Sequence, residues 1–194
     1  MPNEIKALVL DLGQVLIRLD FSEVMTALGL PPDESIAQWL KNMDAWKAYD
    51  SFERGQISED VFFETASEVK SVWNSVLKEA VPGITTLLKT IKKSTRLFAL
   101  TNTNETHLRH AMSNYPFLGV FECIFSSHKI GARKPEPEIY RFVEKSIGIS
   151  GAHILFIDDR IENVEGAKNV GWNAAHCQKS PEDLETAFHR FRLT

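Results

Sequence analysis

The sequence predicts an α/β fold in which a parallel sheet is covered by helices and a small helical unit is inserted after the first strand. Three observations carry this expectation. Short apolar runs rich in β-branched and aromatic residues recur along the chain, segments with helical periodicity fill the gaps between them, and the stretch from 18 to 80 breaks that alternation with helical patterns alone.

The strands are read at KALVLDL (6 to 12), TRLFALT (95 to 101), VFECIFSS (120 to 127), HILFIDD (153 to 159) and NAAHC (173 to 177). Ahead of the second of these, Ile84, Leu87, Leu88 and Ile91 recur at helical spacing after Pro82 and Gly83, and such an apolar face is suited to pack on a sheet. In the inserted stretch, Phe62, Ala66, Val69 and Trp73 read as one helical face, with Trp39, Leu40 and Met43 earlier. Gly55 supplies a turn in FERGQISED. Ser58 is the expected N-cap of the following helix, whose Glu59 and Asp60 suit the positive end of the helix dipole. The expected division is a core from residues 1–17 and 81–194 and a helical cap from 18–80.

Composition narrows the function. A chain of 194 residues, 43% hydrophobic and 25% charged, can bury a sizeable core as one domain with an insertion. Its net charge of −4, without clustered Lys and Arg, argues against a nucleic-acid partner. No apolar run approaches the roughly 20 residues of a spanning helix, and no secretory signal pattern opens the sequence, so a cytoplasmic protein with no membrane association is expected, as a monomer or dimer. Cys123 and Cys177 lack the spacing of a metal or redox pair and are expected to be buried free thiols.

Asp11 closes the first apolar run. In a parallel α/β sheet, ligands sit beyond the carboxyl ends of the strands, so a carboxylate there faces the crevice; alone, it reads equally well as a turn cap. Three further segments add polar groups of complementary type: Thr101 and Asn102 in LTNTN, Lys134 in GARKPEPEIY, and Asp158, Asp159 and Asn163 in FIDDRIEN. Singly, these are a turn, a solvated lysine and a helix cap. Together they describe a phosphate site. A carboxylate attacks phosphorus only where positive charge offsets the repulsion between two anions, and Lys134 with a divalent cation would supply it. Mg2+ takes oxygen ligands and keeps waters, so Asp11, a backbone carbonyl and one acid of the 158–159 pair suffice.

These four motifs, with Asp11 in DLGQV, Thr101 in LTNTN, Lys134 in RKPEPEIY and Asp158–Asp159 in DDRIEN, resemble those of the haloacid dehalogenase superfamily hydrolases over essentially the whole chain. The insertion with FERGQIS resembles the helical cap of the subgroup that includes sugar-phosphate phosphatases and the phosphatase domain of soluble epoxide hydrolase, and DLGQVL followed by DF is similar to glucose-1-phosphate phosphatases. The resemblance implies a Rossmann-like core, a mobile cap, Mg2+, a small phosphorylated metabolite as partner, and an aspartyl-phosphate formed on Asp11. It places Thr101 and Lys134 at the phosphate, where backbone donors near Asn102 are expected to hold the remaining oxygens. Asp159 becomes a metal ligand with Asp11, supported by Asp158, with the Gly13 carbonyl in reach of the metal.

One position departs from that pattern. Most phosphatases of the family carry a second Asp two residues after the nucleophile, which protonates the leaving group and later activates water; here it is Gly13. Positioned proton transfer is worth roughly 10²–10⁴-fold, so poor leaving groups should suffer most. Anomeric sugar phosphates such as glucose 1-phosphate leave more easily and become the expected substrates, with Gln14 or bound water as helpers. Two other functions share the gap. A 2-haloacid dehalogenase also lacks that acid but has no use for the pair at 158 and 159, and a catalytically weak member would bind a phosphate ligand or a protein partner. A phospho-receiver domain places its paired acids near the first strand, whereas here they come last. His107 and His110 are expected at the surface; Trp46, Phe52, Phe63 and the other cap aromatics are expected to form its core. Arg54 is read as a selector of substrate from the cap or as a helix cap.

Overall fold

A computed structural model of the protein describes residues 4–30, 44–178 and 180–194. Chain order sets the element numbers. The expected sheet is present: β1 (Ala7–Leu10), β4 (Arg96–Thr101), β5 (Cys123–Ser126), β6 (Ile154–Asp158) and β7 (Asn173–His176) lie in the order β5-β4-β1-β6-β7, every neighbouring pair parallel. Successive side chains of β1 enter opposite cores. Leu8 and Leu10 join Ala99, Leu155 and Ile157 on one face, while Ala7 and Val9 join Phe98, Leu100 and Phe156 on the other. Both faces are covered, which is why these strands read as continuous apolar runs rather than as alternations.

Helices close each face. On the first side, α4 (Ile84–Lys89) contributes Ile84 and Leu88, α5 (Glu105–Asn114) contributes Ala111, and α9 (Glu182–Arg190) contributes Leu184 and Phe188. Ile91 falls beyond the end of α4 but packs on the same core. On the second side lie α7 (Pro137–Ile147), with Ile139, Tyr140, Val143 and Ile147 on its inner face, and α8 (Ile161–Asn169) with Ala167; the one-turn α6 (Ser127–Ile130) follows β5. None of the helices of the described residues is long and apolar enough to cross a membrane.

Between β2 (Ile17–Leu19) and β3 (Leu77–Ala80), which pair antiparallel, the chain forms α1 (Ser22–Ala27), α2 (Asp44–Glu53) and α3 (Glu59–Thr65). These bury a separate cluster that includes Val24, Phe52, Phe62, Phe63 and Trp73, with the Phe52 and Phe62 rings stacked 4.7 Å apart. Ser58 caps α3 as expected, its side chain accepting from Val61 N–H. The expected single helix through Phe62, Ala66, Val69 and Trp73 is instead α3 followed by two 3-10 turns, Ser67–Val69 and Trp73–Val76, because Ala66 leaves helical backbone at φ −135° and ψ 50°. All four side chains still reach one core, so the periodicity recorded burial rather than continuous helix. Trp39, Leu40, Met43 and the Trp46 side chain lie outside the described residues.

Gly55 turns the chain at φ +66°, and a Cβ there would stand 2.1 Å from the His128 carbonyl oxygen on α6, so the turn and the core meet backbone to backbone. Cys177 is buried as expected, but Cys123 is exposed, since it opens the edge strand β5.

Candidate active site

The crossover leaving β1 reaches β4 on one side, and the chain leaving β5 crosses to β6 on the other, which opens a crevice at the carboxyl ends of these three strands. Asp11 stands there. Its N–H donates to the Ile157 carbonyl at 3.0 Å, extending the β1–β6 ladder by a residue and fixing the carboxylate over the sheet edge. Asp11 Oδ1 accepts from Leu12 N–H at 2.8 Å and lies 2.9 Å from Lys134 Nζ.

Lys134 enters from the loop between α6 and α7. Its Nζ also donates to Asp158 Oδ2 at 2.6 Å and to the Leu100 carbonyl at 2.9 Å, which with Asp11 occupies all three ammonium protons. Asn102 fixes that loop: its carboxamide donates to the Lys134 carbonyl and accepts from Lys134 N–H, both at 2.9 Å. The Asn102 side chain is thereby committed to placing Lys134. Asp158 is held by Arg160 N–H at 2.8 Å and by Asn163 Nδ2 at 2.9 Å, both on Oδ1. Asp159, half-buried, and Thr101, buried, line the cavity beside Asp11 and Lys134.

Burial lifts the Asp11 carboxyl to about 7, Lys134 pulling it back and Asp158 and Asp159 pushing it up again. Burial and then Asp158 raise Asp159 as well. Burial works against the Lys134 ammonium, but Asp11 and Asp158 outweigh it and hold the group above its ordinary value. Three acids against one ammonium leave surplus negative charge. Ligand oxygens of Asp11, Asp158 and Asp159 lie within 4.8 Å of one another, with neither His nor Cys in the set. Such a donor set fits a hard divalent cation of the Mg2+ type. Asp11 and Asp159 are the available ligands, since Asp158 already receives three hydrogen bonds. The Gly13 carbonyl accepts from Val15 N–H at 2.6 Å and keeps a second lone pair.

The cavity above these groups encloses about 360 Å³, near the small end of the ligand-pocket range of roughly 300–1,000 Å³. Tyr49, Glu53, Arg133 and Arg160 form a polar wall; Leu19, Phe21, Leu77 and Leu108 form an apolar one. All four are absent from the sequence reading, although two signals pointed to the first three: Tyr49 and Glu53 are one helical turn apart in AYDSFERG, and Arg133 precedes Lys134. Tyr49 hydroxyl donates to Glu53 Oε1 at 2.6 Å, and Arg133 Nη2 lies 2.6 Å from Glu53 Oε2.

Arg54 ties α2 to the start of α7 and does not line the pocket: its Nε donates to Asp50 at 2.8 Å and its terminal nitrogens donate to Glu136. His107 is not at the surface. It stacks on Trp73 with centroids 4.9 Å apart, its Nε2 lies 2.8 Å from the Trp73 carbonyl, and its Nδ1 meets the Asn104 carboxamide. Burial lowers the imidazole to about 4. Gln14 turns away from the cavity, donating from Nε2 to the Leu19 carbonyl at 3.0 Å. A Cβ at Gly13 would meet Leu19 Cδ1 at 2.7 Å, so a side chain there requires the end of Leu19 to shift.

Comparison with known proteins places this geometry. A sesquiterpene phosphatase of Aspergillus oryzae is 28% identical over 191 residues, covering 93% of each chain, and a D-ribitol-5-phosphate phosphatase of Bacteroides thetaiotaomicron is 25% identical, covering 87% of this chain and 89% of its own. A drimenol cyclase of Aspergillus calidoustus is 26% identical over 192 residues, and this chain spans 35% of that protein's length. A haloacid dehalogenase-family enzyme from Bacteroides thetaiotaomicron, solved in complex with magnesium and inorganic phosphate, superposes with a TM-score of 0.78 at 26% identity, covering 95% of this chain and 99% of its own. The family model for haloacid dehalogenase-like hydrolases matches residues 5–171, which takes in every strand end described above except that of β7. The chain therefore belongs to the haloacid dehalogenase-like hydrolases.

Proposed function

We propose that the protein is a Mg2+-dependent phosphatase that hydrolyses a small phosphomonoester through an aspartyl-phosphate on Asp11, with residues 18–80 acting as a cap. The observation that carries this reading is the Lys134 ammonium held at once by Asp11 and Asp158, with Asp159 beside them in the same cavity. Lys134 orients the nucleophile and offsets the charge of the incoming phosphoryl oxygens, while the Thr101 hydroxyl and the backbone at Asn102 receive the others. An Asp11 oxygen bonds to phosphorus as the bond to the leaving oxygen breaks. Water then cleaves the acyl phosphate and returns Asp11. Asp11, Asp159 and the Gly13 carbonyl would hold Mg2+, which would supply positive charge for the phosphoryl transfer beyond that of Lys134.

The substrate we favour is a sugar phosphate such as glucose 1-phosphate. Gly13 carries no acid, so a leaving group of low basicity, which depends least on a proton delivered from elsewhere in the cavity, is served best. The polar wall of Tyr49, Glu53, Arg133 and Arg160 supports hydroxylated substrates. The names of the ribitol-phosphate and sesquiterpene phosphatases support phosphatase chemistry, and the magnesium-phosphate complex of the structural neighbour supports the cation. The competing dehalogenase reading rests on Gly13 and leaves the Lys134–Asp158 pair and Asp159 without work. The test is phosphate release from glucose 1-phosphate, other sugar phosphates and nucleotides, with and without Mg2+, alongside halide release from 2-chloropropionate. Release stopped by chelation and by Asp11→Asn supports the proposal. Metal-independent halide release, or ligand binding with no turnover, overturns it.

A further inference from the structure

Proton transfer at this site has no residue at position 13 to perform it, and the remaining titratable groups of the cavity can be taken one at a time. Asp11 and Asp159 belong to the cation and nucleophile. Lys134 spends its three protons on Asp11, Asp158 and the Leu100 carbonyl. Arg133 and Arg160 do not give up protons in this range. Both ring nitrogens of His107 are engaged, by Asn104 and by the Trp73 carbonyl. Among the described lining residues, Tyr49 and Glu53 on α2 remain. Glu53 is 4% exposed, with Oε1 accepting from the Tyr49 hydroxyl and Oε2 2.6 Å from Arg133 Nη2. The carboxyl is thus buried and fixed in orientation by two side chains that line the same cavity, as a proton-transferring group there requires.

We propose that Glu53 is the acid and base of this reaction, delivered by the helical unit, with Tyr49 and Arg133 as its positioning residues. The proposal rests on the phosphatase reading above. In the first step the Glu53 carboxyl gives its proton to the leaving oxygen as the phosphorus bond to that oxygen breaks and the bond to Asp11 forms. In the second, the Glu53 carboxylate takes a proton from water as the water oxygen bonds to phosphorus and the Asp11–phosphorus bond breaks. The cycle returns Glu53 protonated and consumes one water. The groups facing Glu53 are Tyr49 and Asp50 on its own helix and Arg133 and Lys134 across the interface. Burial raises the carboxyl, which keeps its protonated form accessible.

The experiment is the pH profile of Mg2+-dependent turnover for wild type, Glu53→Gln and Tyr49→Phe on alkyl, sugar and p-nitrophenyl phosphates. Glu53→Gln should lower kcat on alkyl phosphates by roughly 10²–10⁴-fold, with a shallower loss in the first turnover of the aryl ester, and should erase one limb of the profile. Tyr49→Phe, which removes the hydroxyl donating to Glu53, should move that limb to higher pH with a modest change in kcat. Adding Gly13→Asp with Leu19→Ala to Glu53→Gln should recover activity. If Glu53→Gln raises KM alone, or Tyr49→Phe leaves the profile in place, Glu53 is a binding or structural group and the proposal falls while the phosphatase reading stands. A wild type that releases no phosphate removes both.

Discussion

Replacing Lys134 with Met tests the heart of the site. Met keeps most of the side-chain volume and removes the charge, so the perturbation is electrostatic. In the structure Nζ, in a residue 4% exposed, holds Asp11, Asp158 and the Leu100 carbonyl at 2.6–2.9 Å. Removing one partner of such a buried arrangement leaves unpaired carboxylates and costs about 3–5 kcal/mol. For a chain of this length each kcal/mol moves Tm by about 2–4 °C, so Lys134→Met should unfold roughly 6–20 °C below wild type. Thermal unfolding of both proteins with and without Mg2+ is the assay. Mg2+ should stabilise the variant more than the wild type, because the three acids have lost their fixed cation. A Tm within 2 °C of wild type, with no added response to Mg2+, would refute the placement of Lys134 between Asp11 and Asp158.

Other expectations follow from single contacts. The His107 imidazole is lowered from 6.5 to about 4, so its neutral form stabilises the fold fully above pH 6.5; that contribution, about 3 kcal/mol at most, is lost as pH falls from 6.5 towards 4. Urea titrations over pH 4–8 should show this slope flattened in His107→Gln. Gly13→Asp should cost no more than about 1 kcal/mol in urea unfolding, because the Leu19 methyl that its Cβ meets ends a flexible, half-buried side chain that can move aside. Gly55→Ala should cost more than the ordinary loss of about 1 kcal/mol for a strained backbone, since its methyl would meet the His128 carbonyl, and the loss is read from denaturant unfolding. Arg54→Ala should cost no more than about 1 kcal/mol, because its pairs with Asp50 and Glu136 are partly solvated, and raising salt should shrink the difference.

The sheet was legible because its strands are covered on both faces and so stand out as apolar runs; all five appear within a few residues of their expected limits. The site followed from it, since residues ending neighbouring parallel strands meet at one edge, and Asp11, Thr101, Lys134 and Asp158–Asp159 do meet there. Roles within the set were less legible. The sequence placed backbone donors near Asn102 at the phosphate but gave no sign that the Asn102 side chain is spent on the Lys134 backbone, a contact across 32 positions that local pattern does not encode. Tyr49, Glu53 and Arg133 were missed for the same reason: they come together only when α2 docks on the loop before α7. His107 read as a surface residue because its partners, Trp73 and Asn104, differ so much in sequence distance. Ala66 shows the limit of periodicity, which reports a buried face without fixing the backbone that presents it.

The central claim is that Asp11 takes up a phosphoryl group in the space shared by Lys134, Asp159 and a divalent cation. A crystal structure grown with Mg2+ and beryllium fluoride, an acyl-phosphate mimic, tests this most directly. The account predicts beryllium bonded to an Asp11 carboxylate oxygen, a fluorine against Lys134 Nζ, and Mg2+ bound by Asp11 and Asp159. Mg2+ located elsewhere, or an Asp11 carboxylate left unmodified while the mimic occupies another part of the cavity, would contradict it.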